Sequence, residues 1–119
     1  MPISTVTLRN ALAGAYANAC THGALYSTAP GVNAGTELTG GSPAYSRQPL
    51  TWSAPANSAV TASATFNVAS GATVAGFGCH SASAPSGSPD TTFRDGSSLP
   101  AQPFVSQGSY AISVTYTQQ

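Results

Sequence analysis

A chain of 119 residues is the length of one domain, enough to bury about two thirds of the surface that its unfolded form exposes. Only 5% of the residues are charged, against about 25% in ordinary soluble domains; Arg9, Arg47 and Arg94 balance Glu37, Asp90 and Asp95, and lysine is absent. Three scattered arginines cannot neutralise a phosphate backbone, and no apolar run approaches the ~20 residues that span a bilayer, so neither nucleic acid nor membrane is an expected partner.

The N-terminus, MPISTVTLRN, has neither an early basic region nor an apolar core of signal-peptide type, which makes synthesis in the cytoplasm without export the expectation. Residues 1–7 read as a possible arm and residues 8–20 as a helix. Leu8, Ala11, Leu12, Ala15, Tyr16 and Ala19 fall on one continuous helical stripe. Ser4, Thr5 or Thr7 would cap its start and Gly23 would end it. Because the stripe is mostly small residues, it is expected to lie close against a sheet.

Beyond Gly23 the helical period gives way to β-type punctuation. Residues 24–28 form a short strand, Pro30-Gly31 and Gly40-Gly41 enclose a polar loop of about ten residues, and residues 44–52 run extended to the single tryptophan, Trp52. The segment VTASATFNV at 60–68 alternates with a period of two. A turn at 69–72 leads to TVAGFGCH at 73–80, which predicts a hairpin between these strands, with Gly76 and Gly78 allowing a neighbour close. Residues 81–89 are loop, and 91–99 and 104–105 are weaker strands. SYAISVTYT at 109–117 is the clearest strand, with Tyr110, Ile112, Val114 and Tyr116 on one face. One short helix followed by six or seven short strands describes a mainly β protein, an antiparallel β-sandwich or jelly roll, with residues 1–119 as a single domain.

Cys20, His22, Cys79 and His80 are the only soft-ligand set, but C-x-H and C-H do not match zinc-ligand spacing, so no metal and no cofactor is expected. A Cys20–Cys79 disulfide would need an oxidising compartment, and two buried free thiols are the preferred reading. No nucleophile, base and carboxylate fall into a hydrolase pattern, no G-x-S-x-G elbow occurs, and Asp90 and Asp95 flank a short strand rather than a cleft. No catalytic residue is assigned. Tyr26, Tyr45, Trp52, Tyr110 and Tyr116 suit a sugar platform less well than a core.

The order Glu37, Gly40-Gly41-Ser42, Tyr45, Arg47, Trp52 resembles a family of small virion proteins of tailed phages that infect actinobacteria. The resemblance extends through Thr21-His22, Thr28-Ala29-Pro30-Gly31, Thr65-Phe66-Asn67-Val68, Gly71-x-Thr73-Val74, Ser81-Ala82 and Gly108-Ser109-Tyr110, and so covers most of the chain. The chain departs from that pattern at Cys79-His80, where an aromatic is expected, and at Tyr26, where histidine is common. Members are described as head decoration or minor capsid proteins and also as tail fibre proteins. The resemblance implies a non-enzymatic capsid decoration protein of the virion, assembled in the host cytoplasm. It would bind the major capsid protein, as a symmetric homo-oligomer on the head, and stabilise contacts between capsid subunits. A tail-associated, receptor-binding module is the alternative, and a carbohydrate-binding module a more distant one. Charge poverty agrees with association, since little like-charge repulsion keeps copies apart. Pro2, Ile3, Thr5 and Val6 are the candidate partner contacts.

Overall fold

The computed structural model describes residues 3–119, so the candidate contact Pro2 lies outside the described residues. Helix α1 (Val6–Ala19) starts at Thr5, whose Oγ1 accepts from the Leu8 N–H at 3.4 Å, and ends at Cys20, whose N–H reaches back to the Tyr16 and Ala17 carbonyls. Gly23 does not end the helix: it lies inside β1 (His22–Tyr26). The other strands are β2 (Gln48–Pro49), β3 (Ala59–Val68), β4 (Thr73–His80), β5 (Phe93–Pro103) and β6 (Gly108–Thr117). They form two antiparallel sheets, one in the order β2-β1-β4-β5 and one of β3 and β6. The chain is thus mainly β with one short helix, a small sandwich, as its sequence led one to expect.

The expected hairpin between residues 60–68 and 73–80 does not form; β3 pairs with β6 and β4 lies between β1 and β5. Burial explains the choice. β3 alternates buried and wet positions and suits a sheet with one solvent face, whereas from Gly76 to His80 every residue of β4 is buried, as a central strand requires. The turn at 69–72 hands the chain to the opposite sheet, with the Gly71 N–H bonded to the Phe104 carbonyl at 2.7 Å. Residues 44–52 also differ from expectation, since only Gln48–Pro49 pairs as a strand. The weaker strand expected at 91–99 lies largely within β5, which runs on to Pro103, whereas 104–105 is not a strand and falls in the connection between β5 and β6.

The register of β3 on β6 sets Val60, Ala62, Ala64 and Phe66 opposite Tyr116, Val114, Ile112 and Tyr110. This face meets Leu25, Leu38, Leu50, Phe77 and Cys79 of the other layer to make the core. The β6 side chains on this face are half-buried and those between them exposed.

The helix turns the opposite way from its apolar stripe. Ala13, Cys20 and, in part, Asn10, Gly14, Tyr16 and Ala17 face the protein, while Leu8, Ala11, Leu12, Ala15 and Ala19 face solvent. Close approach selects that side: a Cβ on Gly14 would stand 3.4 Å from Pro55, and Asn10 Oδ1 accepts from the Ser58 N–H at 2.8 Å. Only Tyr16 of the expected stripe packs inward, stacked on Tyr116 with ring centroids 3.8 Å apart and 4° between planes.

Candidate functional site

Alternation along β1 and β4 sends Leu25, Phe77 and Cys79 to the core and Tyr26 and His80 to the opposite face of the sheet. There the ring of Tyr26 lies across Gly78, so close that a Cβ at Gly78 would collide with the phenol, and Tyr26 hydrogen-bonds His80 Nε2. A Cβ on Gly76 would stand 2.8 Å from Pro30 and 2.9 Å from the Thr28 carbonyl, so both glycines serve the close approach that their positions suggested.

Three of the six charged residues converge on this face. Arg47 Nε donates to Glu37 Oε2 at 2.9 Å, and Nη2 donates to Glu37 Oε1 at 2.8 Å and Asp90 Oδ2 at 2.7 Å. Nη1 donates to the Ala82 carbonyl at 3.2 Å and to Thr92 Oγ1 at 3.1 Å. All five guanidinium N–H groups are thereby used. Asp90 Oδ1 accepts from the Ser86 N–H at 3.0 Å and from the Thr92 N–H and hydroxyl at 3.0 and 2.9 Å. With its proton given to Asp90, the Thr92 hydroxyl accepts from His80 Nδ1 at 2.9 Å, leaving Nε2 to accept from Tyr26. Tyr45 closes the other end: its hydroxyl donates to Glu37 Oε2 at 2.8 Å and accepts from the Leu25 N–H at 3.0 Å.

Burial and Arg47 together lower the His80 pKa to about 4, so the imidazole is neutral at pH 7. For Asp90, burial acts upward but is outweighed by the Arg47, Ser86 and Thr92 hydrogen bonds, which hold the carboxyl well below the usual range. Burial raises the Tyr26 and Tyr45 phenols far above theirs. Tyr26 and His80 have no exposed surface, and the Arg47 side chain is 2% exposed. Chemically, the arrangement is a sealed tie between the sheet and the loops at 27–47 and 81–92. A groove of about 380 Å³ beside Glu37, Tyr45 and Pro85 reaches Arg47 only where its donors are already engaged.

The four soft ligands do not converge. Cys20 and Cys79 lie in the same core cluster as free thiols, whereas His80 belongs to the opposite face and His22 Nδ1 lies 2.9 Å from Thr21 Oγ1. Among the described residues no group of three or more His, Cys, Asp or Glu side chains is placed to hold a metal ion. Tyr16 donates to Asp95 Oδ2 at 2.7 Å and lies 3.9 Å from Cys79 Sγ. Asp95, expected beside a strand, is inside β5. The proposed platform aromatics are committed to packing: Trp52 Nε1 donates to the Cys20 carbonyl at 2.7 Å, Tyr45 stacks on Phe66, and Tyr116 on Tyr16.

Of the candidate partner contacts, Ile3 is half-buried, Thr5 is exposed and caps α1, and Val6 is 47% exposed. The larger free apolar surface is the outward stripe of α1, with Leu8 and Leu12 50% and 38% exposed. Sequence reasoning found the stripe but gave it to the core, and it missed the network. The available signal was scarcity, because a chain that retains so few charges is expected to pair them. Comparison with protein-family models, curated proteins and solved structures finds no match.

Proposed function

We propose that the chain is a non-enzymatic virion structural protein that decorates an assembled phage head and stabilises contacts between major capsid subunits. The observation that carries this reading is the outward stripe of α1, in which Leu8, Ala11, Leu12, Ala15 and Ala19 face solvent without a charge among them. Apolar surface of this kind gains free energy when a partner covers it, on the order of a few kcal/mol for two leucines and three alanines. A contact that weak per copy becomes durable when a symmetric oligomer engages several equivalent sites at once. Val6 extends the apolar surface at the helix start, next to the N-terminal residues already singled out as contacts. The Arg47 network fits the same role, since it ties the loops to the sheet with the guanidinium's donors fully engaged. The resemblance to phage virion proteins supplies the identity of the partner.

The test is a Leu8→Asp, Leu12→Asp double variant mixed with purified heads. Exposed positions of this type change stability by about 0.5 kcal/mol or less, so the variant folds, and its occupancy should fall at least about tenfold, the equivalent of ~1.4 kcal/mol. Undiminished occupancy by the folded variant removes the stripe from the interface. Labelled protein clustered at the tail of intact particles, rather than spread over the shell, replaces head decoration with a tail-associated role.

A further inference from the structure

Cys20 and Cys79 are far apart in sequence, yet the main chain holds them together. The residue after each is locked to the other, the Thr21 N–H donating to the His80 carbonyl at 3.0 Å, and the Cys20 N–H is fixed by the last turn of α1. Both thiols belong to one buried core cluster and are 1% and 2% exposed. A cavity of about 150 Å³, bounded by Tyr16, Phe77, Cys79, Asp95 and Gly96, reaches the Cys79 end of the pair. That volume holds a few water-sized molecules, with each water taking roughly 30 Å³. The Tyr16 hydroxyl, with its proton given to Asp95, presents its oxygen to Cys79 Sγ at 3.9 Å.

We propose that Cys20 and Cys79 form a peroxide-oxidisable dithiol that closes to an intramolecular disulfide between the end of α1 and β4. Hydrogen peroxide is the oxidant, small enough for the cavity. One sulfur, as thiolate, attacks a peroxide oxygen; the O–O bond breaks, and the departing hydroxide takes up the thiol's proton as water, leaving a sulfenic acid. The second thiol attacks that sulfur, the S–O bond breaks, and a second water leaves with the remaining proton. Two thiols and one peroxide thus become one disulfide and two waters. Thiolate formation is uneven across the pair: the neighbouring Cys20 and burial push the Cys79 thiol far up, while the neighbouring Cys79 lowers Cys20.

Reduced full-length protein is treated with hydrogen peroxide, then denatured, alkylated and mapped by mass spectrometry. The expected product has lost both alkylatable thiols, is lighter by two hydrogens, and yields a Cys20–Cys79 cross-linked peptide that a reductant separates. Its denaturation midpoint shifts upward relative to the reduced form, because the cross-link restricts the unfolded chain. Oxidised glutathione, too large for the cavity, should react at least tenfold more slowly. Thiols that stay alkylatable, sulfinic acid on a single cysteine, cross-links between copies, or equal rates with the two oxidants would each overturn the proposal. Cys20→Ser should progress to sulfinic acid at Cys79 without a cross-link, and mapping of the native sequence decides the matter even if that variant folds poorly.

Discussion

The two faces of the β2-β1-β4-β5 sheet solve the same problem by different physics. On one, Leu25, Phe77 and Cys79 meet Ala62, Phe66 and Val68 of the second layer, and burial of apolar area suffices. On the other, Tyr26, His80, Thr92 and Arg47 are buried and Asp90 and Glu37 half-buried without a second sheet to cover them, so each polar group needs a partner. The apolar face tolerates imperfect matches at a graded cost. The polar face is close to all-or-none, since one lost member strands its neighbours. Tyr45 joins the two, stacking its ring on Phe66 and bonding Glu37 through its hydroxyl.

The largest expected difference between the faces comes from Arg47→Ala, which strands Glu37 and Asp90 and should cost about 3–5 kcal/mol in urea denaturation at pH 7. Phe66→Ala should cost a similar ~3–5 kcal/mol by leaving a cavity. Their pH profiles separate them: the Arg47→Ala loss should shrink in acid as the stranded carboxyls protonate, whereas the Phe66→Ala loss should not. Parallel profiles would mean that the charges on the outer face are not what Arg47 stabilises.

Next in size is the pH response of the native chain. The unfolded imidazole takes up its proton near pH 6.5 and the folded one only near pH 4, so between these values the unfolded state binds more protons and stability falls as pH is lowered. The gap is worth on the order of 3 kcal/mol. Asp90 acts in the same direction at lower pH, because its depressed pKa contributes stability above the normal carboxylate range that is lost on acidification. Urea midpoints measured from pH 7 to 4.5 should decline, and a flat profile would show that His80 is not held neutral by burial.

The smallest effect is that of Thr92→Val, which keeps the shape but removes one hydroxyl shared by Arg47, Asp90 and His80. A loss of about 1–3 kcal/mol in the same assay fits a network of stranded donors. A loss indistinguishable from zero would place the strength of the outer face in the ion pairs alone.

Much of the fold was readable because local signals were clean: β3 and β6 stand within a residue of the segments whose alternation marked them, β4 coincides with the segment that its preceding turn set off, and Thr5 caps the helix as its type allowed. The helix shows where such reading fails. In a segment as rich in alanine as VTLRNALAGAYANA, the side with the larger residues marks an apolar stripe, but contact with the sheet selected Ala13, Gly14 and Ala17, which allow the closest approach. Of the outer-face network, Glu37 and Arg47 were noticed only as markers in a well-punctuated segment, and nothing local joined them to Asp90.

By itself the sequence determined the class of the fold, the strands whose side chains alternate, and a surface nearly free of charge. These follow from neighbours along the chain, and neighbours are what a period records. Only the tertiary structure decided that β3 pairs with β6, that the stripe of α1 faces outward, that Arg47 is sealed between Glu37 and Asp90, and that Cys20 and Cys79 share one core cluster. Each of these joins residues distant in sequence, and their meeting is set by how two sheets and a helix share one interior.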